Sequence, residues 1–131
     1  MRVLIADDQR LFAQALRTAL FEYDIDVIGI AADGEETIRL VHELAPDVVL
    51  LDVEMPRATG FEVMETLRAE GSTTRVAVLT GGGSPDDRRR AAELGATAFL
   101  SKSQSLDEIV ESVRLVGALS GITSSTTLSQ N

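Results

Sequence analysis

Five short apolar runs recur along the chain at intervals of roughly twenty residues: Val3-Leu4-Ile5-Ala6, Val27-Ile28-Gly29-Ile30, Val48-Val49-Leu50-Leu51, Val76-Ala77-Val78-Leu79 and Ala98-Phe99-Leu100. Their apolarity is continuous rather than alternating. A strand needs that pattern only when both of its faces are covered, as in a parallel sheet flanked by helices. Between the runs, apolar residues return at helical spacing: Leu11, Phe12, Ala15, Leu16, Ala19 and Leu20 in one segment, then Ile38, Val41 and Leu44 in the next. The alternation predicts a doubly wound α/β domain, with five parallel strands in one sheet, five helices on its two faces and right-handed crossovers.

The helix ends carry their own signals. Asp33 to Glu36 and Ser105 to Glu108 fit the capping box, and Ser84-Pro85-Asp86-Asp87 offers a cap, a first-turn proline and two acids near the positive helix end. Pro46 and Gly95 stop the second and fourth helices. Past Leu119 the chain is polar, with no apolar period, so the expected domain covers 1–119 and a linker or disordered tail covers 120–131.

The 131 residues carry a formal charge of −9, which repels a phosphate backbone and argues against direct nucleic-acid binding by this segment. The basic cluster Arg88-Arg89-Arg90 follows Asp86-Asp87 in a helical pattern and reads as a solvated face. No apolar run approaches the ~20 residues that span a bilayer, and the amino terminus lacks the order of a signal peptide, so a cytoplasmic location is expected. With no cysteine and a single histidine, metal chemistry must rest on oxygen donors.

Ligands of open parallel sheets bind beyond the carboxyl ends of the strands, so the residues leaving each strand matter most. Asp7 and Asp8 leave the first, Asp52 the third, Thr80 the fourth and Lys102 the fifth. Crowded carboxylates oppose one another's ionisation unless a cation compensates, and an all-oxygen donor set selects a hard divalent ion such as Mg²⁺. An ionised Asp52 is then a nucleophile, while a hydroxyl at Thr80 and an ammonium at Lys102 suit an incoming phosphoryl group.

These residues, in this order and spacing, resemble the receiver domains of two-component response regulators over residues 1 to 120. The carriers are Asp7-Asp8, LLDVEMPRATG around Asp52, VLT ending at Thr80 and AFLSK ending at Lys102. The resemblance implies a flavodoxin-like (βα)5 fold and a phosphoacceptor rather than an enzyme. It implies that Asp52 takes a phosphoryl group from the phosphohistidine of a sensor histidine kinase. It further implies that Asp8, Asp52 and the Glu54 backbone carbonyl hold Mg²⁺, with Asp7 acting through water. Thr80 and Phe99 would form a switch pair that alters the face of the fourth helix, fifth strand and fifth helix. The opening VLIADDQRLFAQALRTAL and the ending LGATAFLSKSQSLDEIVESVRLV are similar to the NarL/FixJ subgroup. Members of that subgroup usually carry a LuxR-like helix-turn-helix domain after the receiver, which implies transcriptional output, a homodimer on phosphorylation, and DNA contact only through that further domain. A stand-alone receiver acting through protein contacts is the alternative.

Three positions depart from the family pattern. Thr59 stands where Asp, Asn or Ser is frequent, Gly81-Gly82-Gly83 follows Thr80 where Ala is common, and Ser103 follows Lys102 where many receivers have proline. The glycines predict a mobile connection, and Ser103 leaves open whether the Lys102–Ser103 peptide is cis. Two other classes fit these residues less well. A haloacid-dehalogenase-like phosphatase needs a second Asp where Glu54 stands, together with a cap insertion. A flavodoxin-like nucleotide binder would meet repulsion from Asp7-Asp8, and the glycine run lacks phosphate-loop spacing. His42 reads as a surface residue, Met55 and Met64 as packing residues, and Phe99 equally as plain core or as a moving ring.

Overall fold

The computed structural model describes residues 1–120; the linker or tail expected over 120–131 lies outside them, apart from Ser120, which ends the last helix. Five strands alternate with five helices: β1 Arg2–Ala6, α1 Arg10–Glu22, β2 Asp26–Ala31, α2 Gly34–Leu44, β3 Val48–Leu51, α3 Gly60–Ala69, β4 Arg75–Thr80, α4 Pro85–Glu93, β5 Ala98–Ser101 and α5 Leu106–Ser120. All strand pairs are parallel, in the order β2-β1-β3-β4-β5. The chain therefore reverses its direction of winding between β1 and β3, which lie side by side at the centre of the sheet.

Both faces of the central strands are covered, which is why their sequences are apolar throughout. Val3, Ile5, Val48, Leu50, Ala77 and Leu79 pack with Leu16, Leu20, Ile109 and Val113 of α1 and α5. Leu4, Ala6, Val49, Leu51, Val76 and Val78 face the other way, toward Val41, Val63, Met64 and Leu67 of α2 and α3. Strand β2, at one edge, is only half-buried along most of its length. In α1 the buried stripe is Ala13, Leu16, Ala19 and Leu20, while Leu11 and Ala15, expected inside from the spacing, face solvent. The helix begins at Arg10, and the sheet-facing stripe passes through Ala13 rather than Ala15.

The loop from β3 to α3 is held from both ends. The N–H groups of Gly34 and Glu35, at the start of α2, donate to the carbonyls of Pro56 and Arg57 at 3.2 and 3.0 Å, where first-turn donors would otherwise lack partners. A Cβ on Gly34 would lie 2.1 Å from the Ala58 carbonyl oxygen, so only glycine permits this approach. Arg57 and Ala58 adopt left-handed φ values of 49° and 81°, and Arg57 Nε donates to Asp33 Oδ2 at 3.1 Å. Gly60 lets α3 start against the Asp52 backbone, since a Cβ there would meet the Asp52 oxygen at 2.6 Å.

Thr59, a departure by family pattern, is the N-cap of α3 in a reciprocal box with Glu62. Its hydroxyl performs the same bonding that Asp, Asn or Ser would. The boxes at Ser84–Asp87 and Ser105–Glu108 form reciprocally. At Asp33 only one half forms as expected: Asp33 accepts from the Glu36 N–H, but the Glu36 carboxylate reaches the N–H of Ala32 instead. No cis peptide occurs among the described residues, the Lys102–Ser103 bond included. Met55 and Met64 are buried, and His42 is exposed, 2.7 Å from Glu70. Among the described residues no helix is long and apolar enough to cross a membrane.

Candidate functional site

The reversal between β1 and β3 places two strand ends next to each other. Ala6 pairs with Leu51, and the next residue on each strand, Asp7 and Asp52, extends the register past the sheet's carboxyl edge. Backbone bonds fix both: the Asp7 N–H donates to the Ala31 carbonyl and the Asp52 N–H to the Ala6 carbonyl, each at 2.9 Å. Asp7, Asp8 and Asp52 each offer a carboxylate oxygen within 4.8 Å of the others. Asp7 and Asp52 are buried and Asp8 is exposed, so the cluster has a solvent-facing side.

Lys102 reaches this cluster from β5. Its backbone N–H donates to the Thr80 carbonyl at 2.9 Å, continuing the β4–β5 register, and its Nζ lies 2.7 Å from Asp7 Oδ2 and 3.0 Å from Asp52 Oδ2. Burial is the largest influence on Asp7 and pushes its carboxyl above the usual aspartate range, against the lowering pull of the Lys102 ammonium and the Gln9 N–H. Burial pulls the Lys102 ammonium down, but hydrogen bonds and charge attraction from Asp7 and Asp52 outweigh it and hold the group above the ordinary lysine value. We read the pair as ionised, because the short contact in a buried setting favours the charged partners; Asp7 depends on Lys102 to stay so.

Three carboxylates against one ammonium leave two negative charges uncompensated, which a divalent cation matches, and the donors are the hard oxygens such an ion prefers. The cluster can therefore coordinate a divalent metal. Asp52 Oδ1 accepts the Glu54 N–H at 2.9 Å, which orients the carboxylate, while the Glu54 side chain points to solvent.

Thr80 completes the edge. Its hydroxyl is buried, at 1% exposure for the residue, and has no hydrogen-bond partner among the described residues. An orphaned buried hydroxyl costs free energy and marks a place where a further acceptor fits. Its methyl group and the Phe99 ring both line Gly83, where a Cβ would lie 3.1 Å from the ring and 3.3 Å from that methyl. Gly83 has a left-handed φ of 135°, so it is the constrained member of the glycine run; a Cβ at Gly81 or Gly82 would meet nothing within 4 Å. Phe99 is half-buried, with the Arg88 guanidinium 4.8 Å above it. Arg90 similarly covers Phe61 at 4.5 Å, so two arginines of the basic cluster shield aromatic rings as well as facing solvent.

Two contacts escaped the strand-end reading. Gln9 Oε1 accepts from Lys102 Nζ at 2.7 Å, and the Phe12 ring lies 4.9 Å from the same nitrogen. Gln9 directly follows the two acids but is separated from Lys102 by 93 residues, and no one-dimensional pattern links them.

Comparison with known proteins agrees with this geometry. Among solved structures, the signal receiver domain of NarL from Mycobacterium tuberculosis superposes with a TM-score of 0.85 at 33% identity, covering 89% of this chain and 95% of that one. A LuxR-family response regulator from Staphylococcus aureus gives 0.84 at 29% identity, covering 88% of this chain and 98% of that one. In sequence, the transcriptional regulatory protein YvfU of Bacillus subtilis is 37% identical over 115 residues, 87% of this chain and 58% of YvfU. The transcription regulator BvgA of Bordetella pertussis is 33% identical over 129 residues, 98% of this chain and 62% of BvgA. The chain thus spans about three fifths of the length of these two relatives. The family profile of the response regulator receiver domain matches residues 3–114, the span that carries the acid cluster, Thr80 and Lys102, and the chain belongs to that family.

Proposed function

We propose that Asp52 is the phosphoacceptor of this receiver and takes its phosphoryl group from the phosphohistidine of a sensor histidine kinase. The observation that carries the reading is the setting of Asp52: a buried carboxylate on a rigid strand end, oriented by the Glu54 N–H and flanked by Lys102 and two further acids. In the transfer, an Asp52 oxygen attacks phosphorus and forms the new P–O bond as the P–N bond of the donor breaks. The leaving imidazole nitrogen keeps that electron pair and takes up a proton, and the product is an aspartyl phosphate.

Asp8, Asp52 and the Glu54 backbone carbonyl are the proposed ligands of Mg²⁺, with Asp7 acting through water; the ion, when bound, offsets the charge gathering on the phosphoryl oxygens. Lys102 contributes an ammonium to those oxygens, a charge-assisted bond. Thr80 supplies the hydroxyl that lacks a partner, and its movement toward the phosphoryl group frees space beside Gly83 for the Phe99 ring to turn inward. That rearrangement alters the α4-β5-α5 surface and favours a homodimer. By analogy with YvfU and BvgA, the whole protein regulates transcription, through a DNA-binding output domain following the receiver of 1–119 and the linker of 120–131.

The test is intact-mass measurement after incubation with acetyl phosphate and Mg²⁺. Wild type is expected to gain one phosphoryl group and Asp52→Asn none. An unmodified wild type, or equal modification of the variant, refutes the assignment.

A further inference from the structure

The Lys102 ammonium has three N–H donors, and all three have an acceptor: Asp7 Oδ2 at 2.7 Å, Asp52 Oδ2 at 3.0 Å and Gln9 Oε1 at 2.7 Å. The Phe12 ring, with its centroid 4.9 Å from the same nitrogen, flanks the group further. A saturated ammonium can reach a new phosphoryl oxygen only by giving up one of these partners. Asp7 is charged, buried and short-bonded, and Asp52 is the reacting group itself. Gln9 is neutral and exposed, which makes its bond the weakest of the three to release.

The backbone position of Gln9 makes this use of the side chain conspicuous. Gln9 is the N-cap of α1, with φ −85° and ψ 92°, yet its side chain makes no capping bond to the helix. Glutamine is not among the residues that cap well; Asp, Asn, Ser and Thr are. Its backbone N–H instead donates to Asp7 Oδ1 at 2.8 Å, and its carboxamide turns across the site to Lys102.

We propose that Gln9 is a positioning residue that holds the third N–H of Lys102 in the resting receiver and competes with the phosphoryl group for it. This inference rests on Asp52 being the phosphoacceptor. Gln9 then sets how readily Lys102 turns to the incoming group: a shorter side chain frees the ammonium, and a carboxylate of equal reach holds it harder.

Two substitutions separate this role from simple support of α1. Gln9→Asn is one methylene shorter, so it loses Lys102 but is a better cap; Gln9→Glu keeps the reach and adds charge. Phosphorylation rates with acetyl phosphate at saturating Mg²⁺, together with thermal unfolding, are the readouts. The expected result is a Gln9→Asn rate about three- to tenfold above wild type with unfolding temperature unchanged or raised, the size of one ordinary net hydrogen bond, since Gln9 is exposed to competing water. Gln9→Glu is expected to react more slowly than wild type. Wild-type rates in both variants, or a Gln9→Asn loss of rate in step with lost stability, overturn the competition. A wild-type chain that takes no phosphoryl group overturns the phosphoacceptor reading and this one with it, and is distinguished by the absence of any signal to compare.

Discussion

Replacing Lys102 by methionine keeps most of the side-chain volume and removes the only cation in contact with Asp7 and Asp52 among the described residues. The side chains of Asp7 and Asp52 are 3% and 5% exposed, so the two carboxylates are left facing each other with little water to screen them. Breaking a buried ion pair from one side costs about 3–5 kcal/mol; the solvent-facing side at Asp8 puts this site at the lower end, about 3 kcal/mol, or roughly 10 °C in unfolding temperature. Because burial already raises the Asp7 carboxyl and Lys102 is what lowers it, the variant raises it further. Its folded state then binds a proton that its unfolded state does not, so its stability recovers as pH falls from 7 toward 4 and the gap to wild type narrows. Lys102 itself is held above the ordinary lysine value, so its contribution is full below the unfolded value near 10.5 and disappears as pH rises through the folded one. Mg²⁺ should stabilise the variant more than wild type, since three uncompensated carboxylates bind it in place of two. Calorimetry at several pH values, with and without Mg²⁺, measures all of this. A stability loss that is the same at pH 4 and pH 7 and indifferent to Mg²⁺ refutes the electrostatic account and leaves only lost packing.

Two further outcomes follow from buried geometry. Thr80→Val deletes the orphaned hydroxyl while keeping the shape, so it is expected to stabilise the resting protein by about 1 kcal/mol while abolishing phosphorylation-dependent self-association in sedimentation; destabilisation would mean that the hydroxyl has a partner at rest. Gly34→Ala drives a methyl into the Ala58 carbonyl and is expected to cost at least about 2 kcal/mol in urea unfolding, whereas Gly81→Ala, with open space around its Cβ, should be neutral or slightly stabilising.

The architecture was legible because a parallel sheet covered on both faces leaves a one-dimensional trace. Val48 to Leu51 are buried whichever way they point, so no alternation can hide the strand. Asp7, Asp52, Thr80 and Lys102 were legible for a related reason: leaving a strand at its carboxyl end is a sequence property, and parallel order brings those ends to one edge. The contacts that leave no trace in the sequence depend on which way a side chain turns. Gln9 reaches Lys102 with a side chain that makes no capping bond to α1, and Arg88 on α4 lies over Phe99 on β5, eleven positions further along the chain. The apolar spacing of α1 puts Leu11 and Ala15 on the inner face, yet both face solvent, because apolar composition marks a helix but does not fix its rotation against the sheet.

The start of α2 and the loop after Asp52 form a single inheritable unit although they are far apart in sequence. Gly34 and Glu35 donate to Pro56 and Arg57, Asp33 accepts from Arg57, and the left-handed Arg57–Ala58 pair occupies the space that Gly34 leaves open. A chimera that imports residues 54–59 from a relative without residues 33–35 would part Arg57 from Asp33 and Ala58 from the glycine that fits it, and so disturb the backbone beside Asp52. Engineers recombining such domains should therefore place crossover points so that both segments come from the same parent.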